Sequence, residues 1–202
     1  MFTGIIQETA KILEIKKQKY FYTHTICLSE KLLSGLKVGS SISYNGCCLT
    51  VTKILKNLVD FEIIRETLEK TNLKFLKINE VVNIERSLKI SEEINGHIVY
   101  GHIMGKAKII KIISRGIGKK IWFLLEKEKL NKYIIEQGSI SIDGISLTIS
   151  DKKNDSFAIN FIPETIRSTN IKYRSILDIV NVEFDVFAKF VVDSVKRTLK
   201  NM

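Results

Sequence analysis

The 202-residue sequence is poor in cysteine, histidine, proline and tryptophan, with three Cys, three His, one Pro and one Trp. Cys27, Cys47 and Cys48 form no even framework, and adjacent strand residues point to opposite faces, which argues against disulfides and for reduced thiols in a reducing compartment. With no C-x-x-C, no H-E-x-x-H and only His24, His97 and His102, neither a structural zinc nor a haem site is expected. No apolar run approaches the roughly 18 residues of a membrane span. The start, Met1-Phe2-Thr3-Gly4-Ile5-Ile6-Gln7-Glu8, lacks the basic and apolar regions of a secretory leader. A cytoplasmic protein with no membrane partner is therefore expected. The net charge of +10 would attract phosphates, but the lysines are scattered among isoleucine and asparagine, and no basic block alternates with aromatics. Nucleic-acid binding is not expected, and the sequon Asn154-Asp155-Ser156 carries no meaning in such a compartment.

What is present is a stretch written twice. Ser41-Ile42-Ser43-Tyr44-Asn45-Gly46-Cys47-Cys48-Leu49-Thr50-Val51-Thr52 returns as Ser139-Ile140-Ser141-Ile142-Asp143-Gly144-Ile145-Ser146-Leu147-Thr148-Ile149-Ser150, at a constant spacing of 98. Asn-Gly and Asp-Gly are the residues of a two-residue type I′ turn, so each copy reads as a β-hairpin. Period two puts Cys47, Leu49 and Val51 on one face and Cys48, Thr50 and Thr52 on the other. The second copy repeats this with Ile145, Leu147 and Ile149 against Ser146, Thr148 and Ser150. Such a strand can close a core with one face and present small polar groups to a ligand with the other; either copy alone reads as a half-solvated strand.

The same spacing relates Glu66-Thr67-Leu68 to Glu164-Thr165-Ile166, Thr71-Asn72 to Thr169-Asn170, and Val82-Asn83-Ile84-Glu85 to Val180-Asn181-Val182-Glu183. Upstream, Gly4 and Ala10-Lys11-Ile12 match Gly101 and Ala107-Lys108-Ile109 at a spacing of 97. Six short strands are expected in the first half: Gly4 to Ile15, His24 to Leu28, Ser40 to Tyr44, Cys47 to Ile54, Leu58 to Ile64 and Val81 to Ile84. Helical patches fall at Ser29 to Leu36, with Ser29 as N-cap, and at Arg65 to Leu73. The single proline, Pro163, stands at a strand-to-helix corner occupied by Arg65 in the first half. Strands without long alternating helices argue for small closed antiparallel barrels. After Asp185 the period changes to 3.6, with Phe187, Phe190, Val191, Val195 and Leu199 on one stripe of an amphipathic helix that packs on its barrel or on copies of itself. The expected divisions are 1–94, 95–186 and 187–202.

Five ordered motifs carry a resemblance: Met1-Phe2-Thr3-Gly4-Ile5-Ile6, Asn45-Gly46-Cys47-Cys48-Leu49-Thr50-Val51-Thr52, Gly96-His97-Ile98-Val99-Tyr100-Gly101-His102, Asp143-Gly144-Ile145-Ser146-Leu147-Thr148 and Ile162-Pro163-Glu164-Thr165. Together they resemble the riboflavin synthase α-chain family of lumazine-binding double barrels, over essentially the whole chain. The resemblance implies an all-β fold of two similar six-stranded antiparallel Greek-key barrels followed by a C-terminal trimer-forming helix. It implies a transferase that dismutates two 6,7-dimethyl-8-ribityllumazine molecules, one giving a four-carbon unit to the other, to riboflavin and 5-amino-6-ribitylaminouracil. It implies no cofactor and no metal, a homotrimer whose sites lie between neighbouring subunits, and docking with lumazine synthase. A non-catalytic lumazine- or flavin-binding protein of the same fold is the alternative.

The residues to which the resemblance assigns chemistry are Phe2, Thr3, Ser41, Cys48, His102, Ser146, Thr148 and Asp185. Imidazole titrates close to neutral pH, which suits His102 to proton transfer; Cys48 and Ser41 would bond the heterocycle or position a water. The implied binding segments are Gly4, Ile5 and Ile6; Cys48, Leu49 and Thr50; Glu62, Ile63, Ile64, Arg65, Glu66 and Thr67; Gly101, His102 and Ile103; Ser146, Leu147 and Thr148; and Phe161, Ile162, Pro163, Glu164, Thr165 and Ile166. Gln137 stands where relatives often carry a basic residue, and Tyr100 replaces a usual small one. Phe2 alone reads as a core residue, Cys48 alone as an apolar filler, and His97 as a turn cap outside the site.

Overall fold

The computed structural model describes residues 1–200. Alternating runs broken by turns make twelve strands. The first six are β1 Glu8–Lys17, β2 Phe21–Cys27, β3 Ser41–Tyr44, β4 Cys47–Leu55, β5 Leu58–Ile64 and β6 Val81–Arg86. The second six are β7 Gly105–Arg115, β8 Gly118–Leu125, β9 Ser139–Ile142, β10 Ile145–Lys153, β11 Ser156–Phe161 and β12 Ile179–Phe184. Each set closes antiparallel into a barrel with one topology, β1-β2-β5-β4-β3-β6 and its counterpart β7-β8-β11-β10-β9-β12. Closure leaves no free sheet edge. Two short-range details recur in both halves. Asn45-Gly46 and Asp143-Gly144 turn with positive φ, and the register slips between Val51 and Lys53 as it does between Ile149 and Asp151. Such bulges bend a strand sharply enough to close a small barrel.

The period-two faces are those the sequence predicts. Ile42, Tyr44, Val51, Phe61 and Ile63 fill the first core, and Ile140, Ile142, Ile149, Ile159 and Phe161 fill the second. Four α-helices decorate the barrels: α1 Glu30–Leu33, α2 Arg65–Lys70, α3 Pro163–Ser168 and α4 Val186–Lys200. Ser29 precedes α1 but does not cap it with its side chain; its hydroxyl donates to the Glu8 carboxylate. The expected terminal helix is present, with residues 201 and 202 outside the described ones. Asp185 caps it by accepting the Ala188 N–H at 2.8 Å. Val192 packs on the second core and Asp193 bonds Tyr133 Oη and Lys132, so one side of α4 is docked on its own barrel. The apolar stripe of Phe187, Phe190, Val191, Val195 and Leu199 stays exposed. No helix among the described residues is long and apolar enough to cross a membrane.

The barrels meet across a local two-fold axis where Gly46 and Gly144 pack backbone to backbone; a Cβ on Gly46 would lie 2.6 Å from the Gly144 nitrogen. A buried asparagine network surrounds this contact. Asn72 N–H donates to Asn181 Oδ1 at 2.6 Å, and Asn170 N–H to Asn83 Oδ1 at 2.7 Å. Asn83 Nδ2 reaches the Asp143 carbonyl at 2.9 Å, and Asn181 Nδ2 the Asn45 carbonyl at 2.8 Å. Symmetry breaks at one pair: Arg174 donates to Asp143 at 2.6 Å, where the first half has Leu76 and the neutral Asn45.

One expected strand starts late. The first strand was expected from Gly4 but begins at Glu8. Gly4 has φ +76°, which an extended strand does not accommodate. Residues 2–7 instead form an arm that pairs with the inter-barrel segment, Phe2 N–H donating to the Val99 carbonyl at 2.7 Å and Val99 N–H to that of Phe2 at 3.0 Å.

Candidate active site

Each barrel turns a small polar face outward beside its hairpin. Directly opposed residues of an antiparallel pair share a face, so the pairs Ser41 with Thr50 and Ser43 with Cys48 make one patch. Ser139 with Thr148 and Ser141 with Ser146 make its copy. Cys48 and Ser146 are half-buried, and Thr50 and Thr148 are exposed. Cys47, one residue away, belongs to the core, where burial pushes its thiol up to about 12. The two adjacent thiols therefore have separate fates.

A crossed pair of arms completes the patches. The arm before the first barrel lies on the second: Ser146 N–H donates to the Gly4 carbonyl at 2.8 Å, and a Cβ on Gly4 would sit 2.6 Å from that of Ser146. The segment before the second barrel lies on the first: Cys48 N–H donates to the Gly101 carbonyl at 2.9 Å, and a Cβ on Gly101 would sit 2.6 Å from that of Cys48. Only glycine allows this approach with φ near +78°. Two groups of expected residues result. One holds Ser41, Cys48–Thr50 and Gly101–Ile103; the other holds Gly4–Ile6 and Ser146–Thr148.

The ends of β5 and β11 flank these groups. Ile64 and Ile162, related by the repeat, are 57% and 62% exposed at the starts of α2 and α3, where each offers a flat apolar surface beside its group. Ile63 and Phe161 face the cores, so these two offer only backbone to the flank of each group. Glu62, Arg65 and Glu66 are exposed; Glu66 pairs with Lys70 and Arg65 with Glu69. Glu164 pairs with Arg167, while Thr67 and Thr165 carbonyls accept the Thr71 and Thr169 hydroxyls. Pro163 opens α3, and Ile166 packs against the second core. Gln137 occupies an exposed positive-φ turn and donates its N–H to Ile149, next to Thr148. Phe2 and Thr3 are buried, so their side chains steady the arm.

The titratable groups differ between the two sites. His102 is exposed beside Gly101, stacked on Tyr100 with ring centroids 6.2 Å apart. Its repeat position in the other arm is Ile5. The second site holds His97, whose Nδ1 and the Ser146 Oγ are hydrogen-bonded at 2.7 Å. Burial holds this imidazole below its ordinary value, opposed by the Asp185 carboxylate, so it is neutral at neutral pH. The sequence alone places His97 outside the site as a turn cap; the structure sets it against Ser146, one of the expected residues. The available signal was its place inside the Gly96–His102 motif. Among the described residues no cluster of His, Cys, Asp or Glu is arranged to hold a metal ion.

The family model for the lumazine binding domain matches residues 3–87 and again 100–185. This chain belongs to the lumazine-binding domain family. Curated relatives named riboflavin synthase include those of Escherichia coli K12, 44% identical over 199 residues covering 98% of this chain and 93% of that protein, and Buchnera aphidicola subsp. Schizaphis graminum, 44% identical over 200 residues covering 99% and 96%. That of Chlamydia muridarum is 37% identical over 200 residues, covering 98% and 96%. Among solved structures, LumP complexed with riboflavin aligns with a TM-score of 0.85 at 26% identity over 92% of this chain and 100% of that one. LumP complexed with 6,7-dimethyl-8-(1′-D-ribityl) lumazine aligns at 0.83 and 27%, over 92% and 99%. Both lumazine-binding repeats begin on the arms, at Thr3 and Tyr100. Each repeat unit thus starts on the other's barrel.

Proposed function

We infer that the chain is a riboflavin synthase, joining two 6,7-dimethyl-8-ribityllumazine molecules and dividing them into riboflavin and 5-amino-6-ribitylaminouracil. The observation that carries this is the duplicated polar patch, each copy closed by a glycine arm, in a chain aligned nearly end to end with riboflavin synthases. A reaction between two copies of one molecule needs two similar sites. One copy gives four carbons and the other receives them, so the sites must also differ, as they do in His102 against Ile5 and in His97 beside Ser146.

In the first site, backbone of Cys48–Thr50 and Gly101–Ile103 holds the pyrimidine edge, with Ile64 over the ring. His102 exchanges the proton of the acidic C7 methyl, while Ser41 and the Cys48 thiol bond the heterocycle. In the second site, Gly4–Ile6 and Ser146–Thr148 grip the other molecule, with Ile162 over the ring. Neutral His97 takes the Ser146 hydroxyl proton, or that of a water it orders, as oxygen adds to C7; Asp185 stabilises the imidazolium so formed. Holding the two rings in register supplies much of the rate.

Both sites lie open in the single chain, and we propose that a neighbouring subunit closes each, first-barrel site against second-barrel site. The unmatched stripe of α4 supports a homotrimer; Phe190→Lys should then give monomers by light scattering and abolish turnover. Docking with lumazine synthase belongs to the same proposal, tested by co-sedimentation, and so does a cytoplasmic location.

The deciding assay is purified protein with 6,7-dimethyl-8-ribityllumazine, followed by riboflavin fluorescence. Turnover is expected; binding without riboflavin would establish a carrier instead, and absence of binding would overturn the reading.

A further inference from the structure

Two buried carboxylates lie outside the groups assigned above. Glu85 on β6 and Glu183 on β12 are each 2% exposed, and both bond chiefly to backbone N–H groups, with the chain's amino terminus adding attraction at Glu183. Glu85 accepts the Thr3 N–H at 2.7 Å, the Thr3 hydroxyl at 2.7 Å and the Gly4 N–H at 3.1 Å. Glu183 accepts the Tyr100 N–H at 2.7 Å and the Gly101 N–H at 2.9 Å. The donors on the arms are repeat equivalents, and so are the carboxylates.

We propose that Glu85 and Glu183 are positioning residues that act crosswise: Glu183 of the second barrel builds the first barrel's site, and Glu85 of the first barrel builds the second's. The route is short on each side. Glu183 fixes Tyr100 and Gly101, Gly101 meets Cys48 through its carbonyl, and His102 follows on the same segment. Glu85 fixes Thr3 and Gly4, and Gly4 meets Ser146 in the same way.

The chemistry explains why these positions are acid. N–H groups converging on both ends of one side chain are met by a carboxyl group, whose two oxygens both accept, and not by glutamine, which turns an NH2 toward one of them. Burying a carboxylate without a cation is costly. Burial raises both carboxyls, Glu183 to about 7, while the arm's N–H groups pull the other way. A buried acid kept where polar backbone must be aimed is a device for aiming it. This rests on the reading that residues 48–50 and 101–103 bind a flavin-like heterocycle.

Cys48 supplies a local probe. In the wild type, riboflavin should slow iodoacetamide alkylation of Cys48 at least tenfold, read by peptide mass spectrometry. Cys47 is buried with a thiol too basic to compete, and Cys27 lies on a different strand. In Glu183→Gln the protection should fall below twofold; in Glu85→Gln it should stay at tenfold while one riboflavin per chain is lost from the titration. Glu183→Asp keeps both oxygens one methylene back and should give intermediate protection, which maintains the test if the glutamine variant fails to fold. Equal loss in Glu85→Gln and Glu183→Gln, or full protection in Glu183→Gln, would overturn the crosswise assignment. No protection in the wild type would instead remove the binding reading beneath it.

Discussion

Gly101→Ala should separate the site from the fold. Residue 101 has φ +78°, where an alanine is strained by about 1–2 kcal/mol. The new methyl would stand 2.6 Å from Cys48 Cβ and 2.7 Å from its nitrogen, on a strand the barrel cannot move. Reaching ordinary carbon contact requires the arm to retreat by roughly 1 Å. That retreat breaks the 2.9 Å bond from Cys48 N–H to the Gly101 carbonyl, worth about 1 kcal/mol. The sum, about 2–3 kcal/mol, lowers the melting temperature by about 5–10 °C in a chain of this size, short of unfolding it at assay temperature. A displacement of about 1 Å in a positioned substrate costs on the order of 100-fold in rate. Gly35→Ala is the control: it shares the positive φ, at +67°, but its methyl would meet nothing within 4 Å. It should lose about 1 kcal/mol and no activity. The assay is riboflavin formation at saturating lumazine beside thermal unfolding by circular dichroism. Full activity in Gly101→Ala, or an equal loss in Gly35→Ala, would refute the reasoning.

Other outcomes follow from the same structure. Asp143→Asn removes the carboxylate that buried Arg174 bonds, leaving it only the more distant Asp178 and Glu80, and should cost about 3 kcal/mol in urea unfolding; adding Arg174→Leu, which copies the Asn45 and Leu76 of the first half, should recover most of it. Burial drives His24 down to about 4 from 6.5, so the stability of its neutral form is complete above 6.5 and is lost as pH falls toward 4, by about 3 kcal/mol. Glu183, raised from 4.5 to about 7, acts oppositely, its contribution present below 4.5 and lost as pH rises through 7. These two groups oppose each other in the wild type, so the readout is a difference: wild type against His24→Leu, measured by urea unfolding at pH 7 and pH 4.5, should shift by about 2 kcal/mol or more, and a constant difference would contradict it. His102→Gln should lower turnover about 100-fold with little change in lumazine affinity, read by steady-state rates against equilibrium binding; an equal fall in both would assign it to binding.

The barrels were legible because the hairpin is encoded twice, and a period-two pattern that recurs at one spacing excludes chance alternation. Asn45-Gly46 and Asp143-Gly144 set the register by turn chemistry that is local to the sequence. What local pattern could not reveal is where an arm goes. Residues 4–7 alternate well enough to read as strand, yet the Gly4 conformation and two distant partners, the Glu85 carboxylate 81 positions away on their own barrel and the Ser146 N–H on the other, hold them as an arm between the two. The neighbour of His97 was hidden for a related reason. The contact of His97 with Ser146 spans 49 residues, and the His97 position in the first half would precede Met1, so the repeat offered no copy to compare. Glu85 and Glu183 were visible as repeat partners, but their burial, and hence their role, appears only in three dimensions.

The most direct measurement is a crystal structure of the protein soaked with riboflavin. Two flavins per chain are predicted, one touching residues 48–50 together with 101–103, the other touching 146–148 together with 4–6. A flavin held by residues of a single half, or bound away from both arms, would contradict the account.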